Sequence, residues 1–522
     1  PFRQLQKFYI SGLGATFDAS LGGGAAVLGA GLKGMASKAE GNLAELPQGT
    51  ATDTAVEAGK DMLTGKNWWE RLQRNLSHGN LAKAVAAAVV TAGAELSETI
   101  RDNPLSAELF KTGVDTRLES AFQAFNDAIG KARTAGDVQL KRLAISVYGF
   151  DFGATLARAF CHKLFEACEP GSTRYQGLEL EVVFAGLFDA VDRSMQSSIV
   201  LEYLLPLVNR VEDGECLPGP VKAALHLVAA HEVRGTRRAR LIGTGSLTPR
   251  WEERLVPGVS DDVGGGLRRE DAPYSRELHL ACLHEMYRAA YRAGVPFYSL
   301  EQLYEVDADV AGLFELNDHI NGTSALAAST RYRARAGASA ATAEGFLAHR
   351  RLYIRRLRLL WQLYREQSQA FAQEEARLER PLLGRESTLG RLLGEGSESM
   401  AQAERRDTAL RRVRANQAQL RKTHGWLEDV QREAERLKAG FNTAEEQALL
   451  DEWFRADTPS LSFDIEDLLE YFLTDRQMIS QLQPEITYPK YFLVRNFDVP
   501  DPTKTQGLAP DPLGQVMPRK AC

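Results

Sequence analysis

The segment that most constrains this chain is the run LAISVY-GFDFG-ATLARAF at residues 143–160. Leu143 to Tyr148 is apolar and suited to a buried strand, and Ala154 to Cys168 has helical spacing. A strand that passes straight into a helix across G-x-D-x-G puts its middle residue at a tight, strained tip. The flanking positions, Gly149 and Gly153, are then expected to be small, and the helix N-terminus beneath the tip favours negative charge. The tip residue is Asp151.

Further apolar runs predict strands at Gln6 to Ile10, Leu180 to Phe188, Ala239 to Ile242 and Arg254 to Val259. Helical patterns fall at Leu118 to Ala135, Ala154 to Cys168 and Val221 to Ala230. Buried strands alternating with helices predict an α/β fold, a mostly parallel sheet with helices on both faces. From about Leu267 the pattern turns helical, with helices at Glu277 to Ala293, Leu300 to Leu316, Glu344 to Arg377 and Glu398 to Lys438. Thr443 and Glu446 predict a capping box for the helix carrying Leu449, Leu450 and Trp453. The expected organisation is a domain over 1–340 with a helical insertion at about 18–115, a helical module over 341–500, and an extended tail over 501–522.

At 522 residues the chain exceeds a single simple core. Its 44% hydrophobic and 25% charged residues and net charge of -6 suit a soluble protein and do not call for nucleic acid as a partner. The five cysteines are scattered, with no CxxC and no zinc-ligand spacing, so free and mostly buried thiols are expected. No apolar run reaches the ~20 residues that cross a bilayer. The first residue is Pro, so a fragment of a longer chain is expected.

Four motifs in one order carry a resemblance. VYGFDFGATLARAF resembles a GFSxGA-type elbow, Gly186 to Val191 (GLFDAV) resembles a GLFD(T/A)V strand end, His226 to Arg234 resembles an HlvA-dE-R segment, and Val256 to Gly266 resembles a PGvHsDVGGG segment. Over about residues 1–300 the chain therefore resembles the α/β-hydrolase phospholipase effectors of type VI secretion. The resemblance implies an α/β-hydrolase-like fold and hydrolysis of glycerophospholipid esters through an acyl-enzyme. It places Asp151 in the nucleophile position and Asp189 as the acid that orients a histidine, with an oxyanion hole from the amides of Phe152, Gly12 and Leu13. It implies membrane phospholipid as substrate, a cognate immunity protein and a secretion spike or adaptor as partners. It also implies synthesis in the bacterial cytoplasm followed by secretion, with action in the periplasm of target cells at the membrane. No cofactor or metal is implied, with calcium left open.

Two positions depart from that pattern. Asp151 stands where the lipase has serine, which leaves three readings: an engineered inactivation of a working phospholipase, a native Asp nucleophile of the kind that forms alkyl-enzyme esters, or a non-catalytic binding or scaffold protein. Ser260 stands where the catalytic histidine aligns, so His319, in the polar segment ELNDHING, is the candidate base. Asp261 and Asp262 before three glycines either hold a cation or fix the loop. In Glu344 to Arg377, Tyr353, Leu357, Leu360 and Tyr364 recur at helical spacing among arginines, a stripe that either packs on its own module or meets anionic headgroups. The Ala/Gly-rich segment Leu21 to Met35 is a second candidate for membrane contact.

Overall fold

The computed structural model describes residues 6–10, 114–134, 140–192, 216–234, 237–243, 250–267, 274–379, 400–474 and 491–500. They divide into two compact units. The first holds the described residues up to Phe346 together with 467–474 and 495–500; the second holds 347–466 and 491–494. The expected boundary at 340 lies six residues from this division. Residues 467–474 and 495–500, within the expected helical module, belong to the first unit.

In chain order the first unit begins with α1 (Val114–Thr134), β1 (Arg142–Phe150), α2 (Phe152–Glu166), β2 (Arg174–Tyr175), β3 (Leu178–Phe188), β4 (Val191–Asp192), β5 (Ala224–Ala229), β6 (Arg238–Arg240) and β7 (Trp251–Val256). It continues with α3 (Ser260–Gly264), α4 (Leu278–Arg292), α5 (Leu300–Val306), α6 (Ala308–Gly312), β8 (His319–Ile320), β9 (Thr323–Ser324) and α7 (Ala325–Ala336). α8 (Ala343–Glu379) leads into the second unit, which holds α9 (Met400–His424), α10 (Leu427–Lys438), α11 (Ala444–Trp453) and the start of α12 (Phe463–Tyr471), whose residues from Asp467 on belong to the first unit. β10 (Phe497–Asp498) lies in the first unit again.

The main sheet has the order β1-β3-β5-β7, all parallel, with β2 antiparallel against β3. Parallel strands need covering on both faces, and alternation along β3 supplies it. Val182, Ala185 and Leu187 pack with Phe125, Ile129, Phe160 and Leu164 of α1 and α2. Phe184 points the other way, into a core with Leu227, Val256, Val263, Cys282 and Met286. Since each of the four strands runs the same way, their C-terminal ends share one sheet edge, where open α/β sheets place their sites. A small second sheet, β10-β6-β4, forms just beyond that edge.

Some elements differ from expectation. The helix expected over 221–230 is replaced by strand β5 at Ala224–Ala229: every residue of ALHLVA is buried, and a short continuous apolar run fits either element by pattern alone. Gln6 to Ile10 is irregular and largely exposed rather than a strand. Ala239 to Ile242 contributes to β6, in the small sheet. The predicted helix over 300–316 breaks at Asp307, whose carboxylate caps α6 through the Val310 amide at 3.0 Å. The predicted helix over 398–438 breaks at Gly425, where a Cβ would lie 2.4 Å from the Arg421 carbonyl. The capping box of Thr443 and Glu446 forms as expected. Residues 18–113 of the expected insertion, residues 21–35, and the tail over 501–522 lie outside the described residues.

In the second unit, Tyr353, Ile354, Leu357 and Tyr364 are buried, as are Leu427, Val430, Leu450 and Trp453. Arg350 is buried as well and donates to the Tyr491 carbonyl at 2.6 Å. Of the arginine-flanked stripe, Tyr353, Leu357 and Tyr364 are thus buried and Leu360 is half-buried. Among the described residues no helix is long and apolar enough to cross a bilayer. Cys161, Cys168 and Cys282 are free thiols, while Cys216 is disulfide-bonded, against the expectation of free thiols throughout.

Candidate functional site

β1 ends at Phe150 and α2 starts at Phe152, so the whole reversal falls on Asp151, at φ 56 and ψ -128. A side chain with Cβ is strained there. The tip is held by its own backbone: the Asp151 amide donates to the Phe188 carbonyl at 2.8 Å, and its carbonyl accepts from Ala154 N at 3.0 Å. The two flanking glycines are not equivalent. A Cβ on Gly149 would lie 2.4 to 2.7 Å from the backbone of Gly153 and Ala154, whereas one on Gly153 would meet nothing within 4 Å beyond its own helix. Only Gly149 is required by close approach.

Asp151 is buried, with Arg237 Nη1 3.5 Å from its Oδ1. The Phe152 amide opens α2, and Gly12 and Leu13 lie outside the described residues.

Asp189 follows β3 at the next strand end, with φ 48 and no exposure. Its carboxylate is fully engaged. Oδ1 accepts from Ala229 N at 2.9 Å and Arg495 Nη1 at 2.5 Å; Oδ2 accepts from Arg495 Nη2 at 2.9 Å and from Ser260 Oγ. Ser260 starts α3, just past β7. Residue 260 therefore lies against the Asp189 carboxylate as a hydroxyl that offers one hydrogen bond and no imidazole.

His319 is not brought to Asp189, which corrects its candidacy as the base. It is exposed in the short β8–β9 hairpin, and its Nδ1 lies 3.3 Å from the Asn317 carbonyl. The small hairpin fixes it outside the carboxylate's buried shell, all of whose hydrogen bonds go elsewhere. The nearby buried histidines are structural. His226 Nε2 accepts from Ala190 N at 2.9 Å, so Nδ1 carries the proton and donates to Glu253 at 2.7 Å; burial pushes its pKa down. His231 Nδ1 accepts from Gly258 N at 3.1 Å, and its Nε2 meets Tyr332 Oη at 3.2 Å.

Three further carboxylates near this edge are paired or hydrogen-bonded. Burial alone would raise the Glu232 carboxyl, but the Arg234 guanidinium, 2.5 Å away, holds it well below the usual carboxylate range. Arg234 also pairs with Asp261 at 2.9 Å. Asp262 Oδ2 accepts from Val259 N at 3.0 Å and Thr474 N at 3.1 Å, and its Oδ1 from Thr474 Oγ1 at 2.7 Å. Both acids fix the loop, and no group of three His, Cys, Asp or Glu residues suited to a metal occurs among the described residues.

Burial raises the Asp262 pKa to about 6 despite those hydrogen bonds. A carboxyl whose folded pKa lies above its unfolded value binds more protons in the folded state. Stability should therefore fall as pH rises from about 4 to about 6, by up to ~3 kcal/mol, and then level off. Urea unfolding of the wild type and Asp262→Asn across that window checks this: the variant should lose that component of the slope.

Sequence reasoning missed Arg495. It lies 306 residues from Asp189, beside the edge strand β10, which pairs with β6. Nothing local in YFLVRNF marks it as part of a site.

No family model matches the chain, and no curated protein matches it. A solved structure, an uncharacterized protein from Pseudomonas aeruginosa, is similar at 17% identity with a TM-score of 0.46. The match covers 80% of this chain and 65% of that one, so the chain spans about two thirds of that protein's length.

Proposed function

We propose that this chain is a non-catalytic protein on an α/β-hydrolase-type fold, related to phospholipases that cut glycerophospholipid esters, in which the elbow and acid survive as structure. The observation that carries this reading is the saturated carboxylate of Asp189. A serine hydrolase needs that group to hold a histidine, and the histidine to take the proton of a serine. Here Ser260 and Arg495 take the carboxylate and Asp151 replaces the serine.

The exchanges also form a set. Asp151 has the Arg237 cation beside it, and Ser260 accompanies a guanidinium on the acid. An engineered Ser-to-Asp change would alter one position and leave the histidine in place, so native Asp151 fits better. An Asp nucleophile still needs a base for its water, and the buried His226 and His231 are committed to structural hydrogen bonds.

The test is ester turnover with a short-chain p-nitrophenyl ester and with phospholipid vesicles. Wild type and Asp151→Ser should both stay at the buffer rate, because loss of a triad member costs on the order of 10⁴–10⁶ in rate. A serine-directed fluorophosphonate should not label Asp151→Ser. Phospholipase turnover by either protein sinks the reading, and an epoxide adduct on Asp151 would replace it with the Asp-nucleophile hydrolase.

A further inference from the structure

A cavity of about 370 Å³ in the first unit is lined by Gly266, Leu267, Arg276, Glu277, His279 and Asp318. That volume lies within the range of small-ligand sites. The loop bearing Gly266 ties it to the elbow's neighbourhood: a Cβ on Gly264 would strike the ring of Phe150, and one on Gly265 would lie 3.4 Å from the His279 ring. Gly265 and Gly266 hold φ of 90 and 95, so the loop keeps a path open to other residues only at a cost in strain.

The polar groups around this cavity divide into those already used and those that are not. Glu277 is used, since its two oxygens accept from Asn317 N and Asp318 N, each at 2.9 Å. His279 donates its Nδ1 proton to the Arg276 carbonyl at 2.7 Å, which leaves Nε2 as an acceptor on the neutral ring. The side chains of Arg276 and Asp318 make no hydrogen bond or ion pair among the described residues, with each other or with any neighbour. One cavity therefore carries an exposed guanidinium, a carboxylate and a fixed acceptor that have no partners among the described residues.

We infer that this cavity binds a small α-amino-acid-type ligand, its carboxylate on Arg276 and its ammonium between Asp318 and His279 Nε2. A single guanidinium suits a carboxylate bidentately. With Arg276 against Glu277 and Asp318 the described lining residues have an excess of negative charge, which disfavours a phosphate dianion and favours a ligand bearing an ammonium group. The inference rests on the non-catalytic reading only in that the ligand is bound and released unchanged.

Calorimetric titration of the full chain with L-serine and L-arginine tests it, with inorganic phosphate, propionate and ethylammonium as controls. At least one amino acid should bind with a Kd at or below about 1 mM, and the controls at least about tenfold more weakly. Arg276→Met and Asp318→Asn should each weaken binding about tenfold or more, and the Arg276→Asp/Asp318→Arg double variant should recover it to within about threefold of wild type. Because neither side chain holds other residues, the thermal midpoint should stay near that of wild type; if a variant fails to fold, a ligand-induced shift of the His279 ring resonances in the wild type carries the test. No amino-acid binding up to about 10 mM, equal binding of phosphate, or variants with unchanged Kd would overturn the site. Chemical change in the recovered ligand would instead break the non-catalytic reading and leave the site standing.

Discussion

Replacing Arg495 by methionine should destabilise the first unit by about 3–5 kcal/mol, the expected loss when one partner of a buried ion pair is removed. Asp189 has no exposure, and two of its hydrogen bonds come from this guanidinium. Without Arg495 the carboxylate must stay charged against one hydroxyl and one amide, or take up a proton. The double variant Arg495→Met/Asp189→Asn should recover most of the loss, because the cost lies in the unpaired charge rather than in the pair itself. Chemical denaturation of the wild type, both single variants and the double variant measures that coupling. A loss below about 1 kcal/mol in the single variant would mean that the pair is solvated.

The second large effect belongs to the elbow. Gly149→Ala should cost ~3 kcal/mol or prevent folding, since its Cβ meets backbone atoms at 2.4 to 2.7 Å that have no rotamer to retreat into. Gly153→Ala should be neutral or stabilise by up to about 1 kcal/mol, because the site is open and helical and alanine loses less chain entropy there. The two substitutions are chemically identical and four residues apart. Equal losses in both would show that the turn demands two small residues, as the motif alone suggests, and would reject the asymmetry in the structure.

The elbow was legible in sequence because its determinants are local: a strand, a Gly at the crossing point, a tip residue and a helix all fall within 143–160. The strand at 180–188 was legible for the same reason, through a run of apolar residues with turn residues beside it, while the one expected at 254–259 runs from Trp251 to Val256, three residues earlier. β5 was not, because ALHLVA is buried along its whole length and so lacks the alternation that separates strand from helix. The breaks at Asp307 and Gly425 were missed because a cap or a close carbonyl contact interrupts a helix without disturbing the spacing of apolar residues around it.

Within the candidate site, the sequence by itself determined that β3 ends at Phe188, that Asp151 occupies the tip, and that residue 260 is a hydroxyl. Those are statements about identity and order along the chain. Only the tertiary structure decided what surrounds the acid. It set Ser260 against Asp189, carried Arg495 across 306 residues into the same carboxylate, and left His319 in an exposed hairpin. The physical reason is that a buried carboxylate must find compensating charge and hydrogen bonds wherever the fold brings them, and that choice depends on which strand ends meet at one edge of the sheet, which no local pattern records.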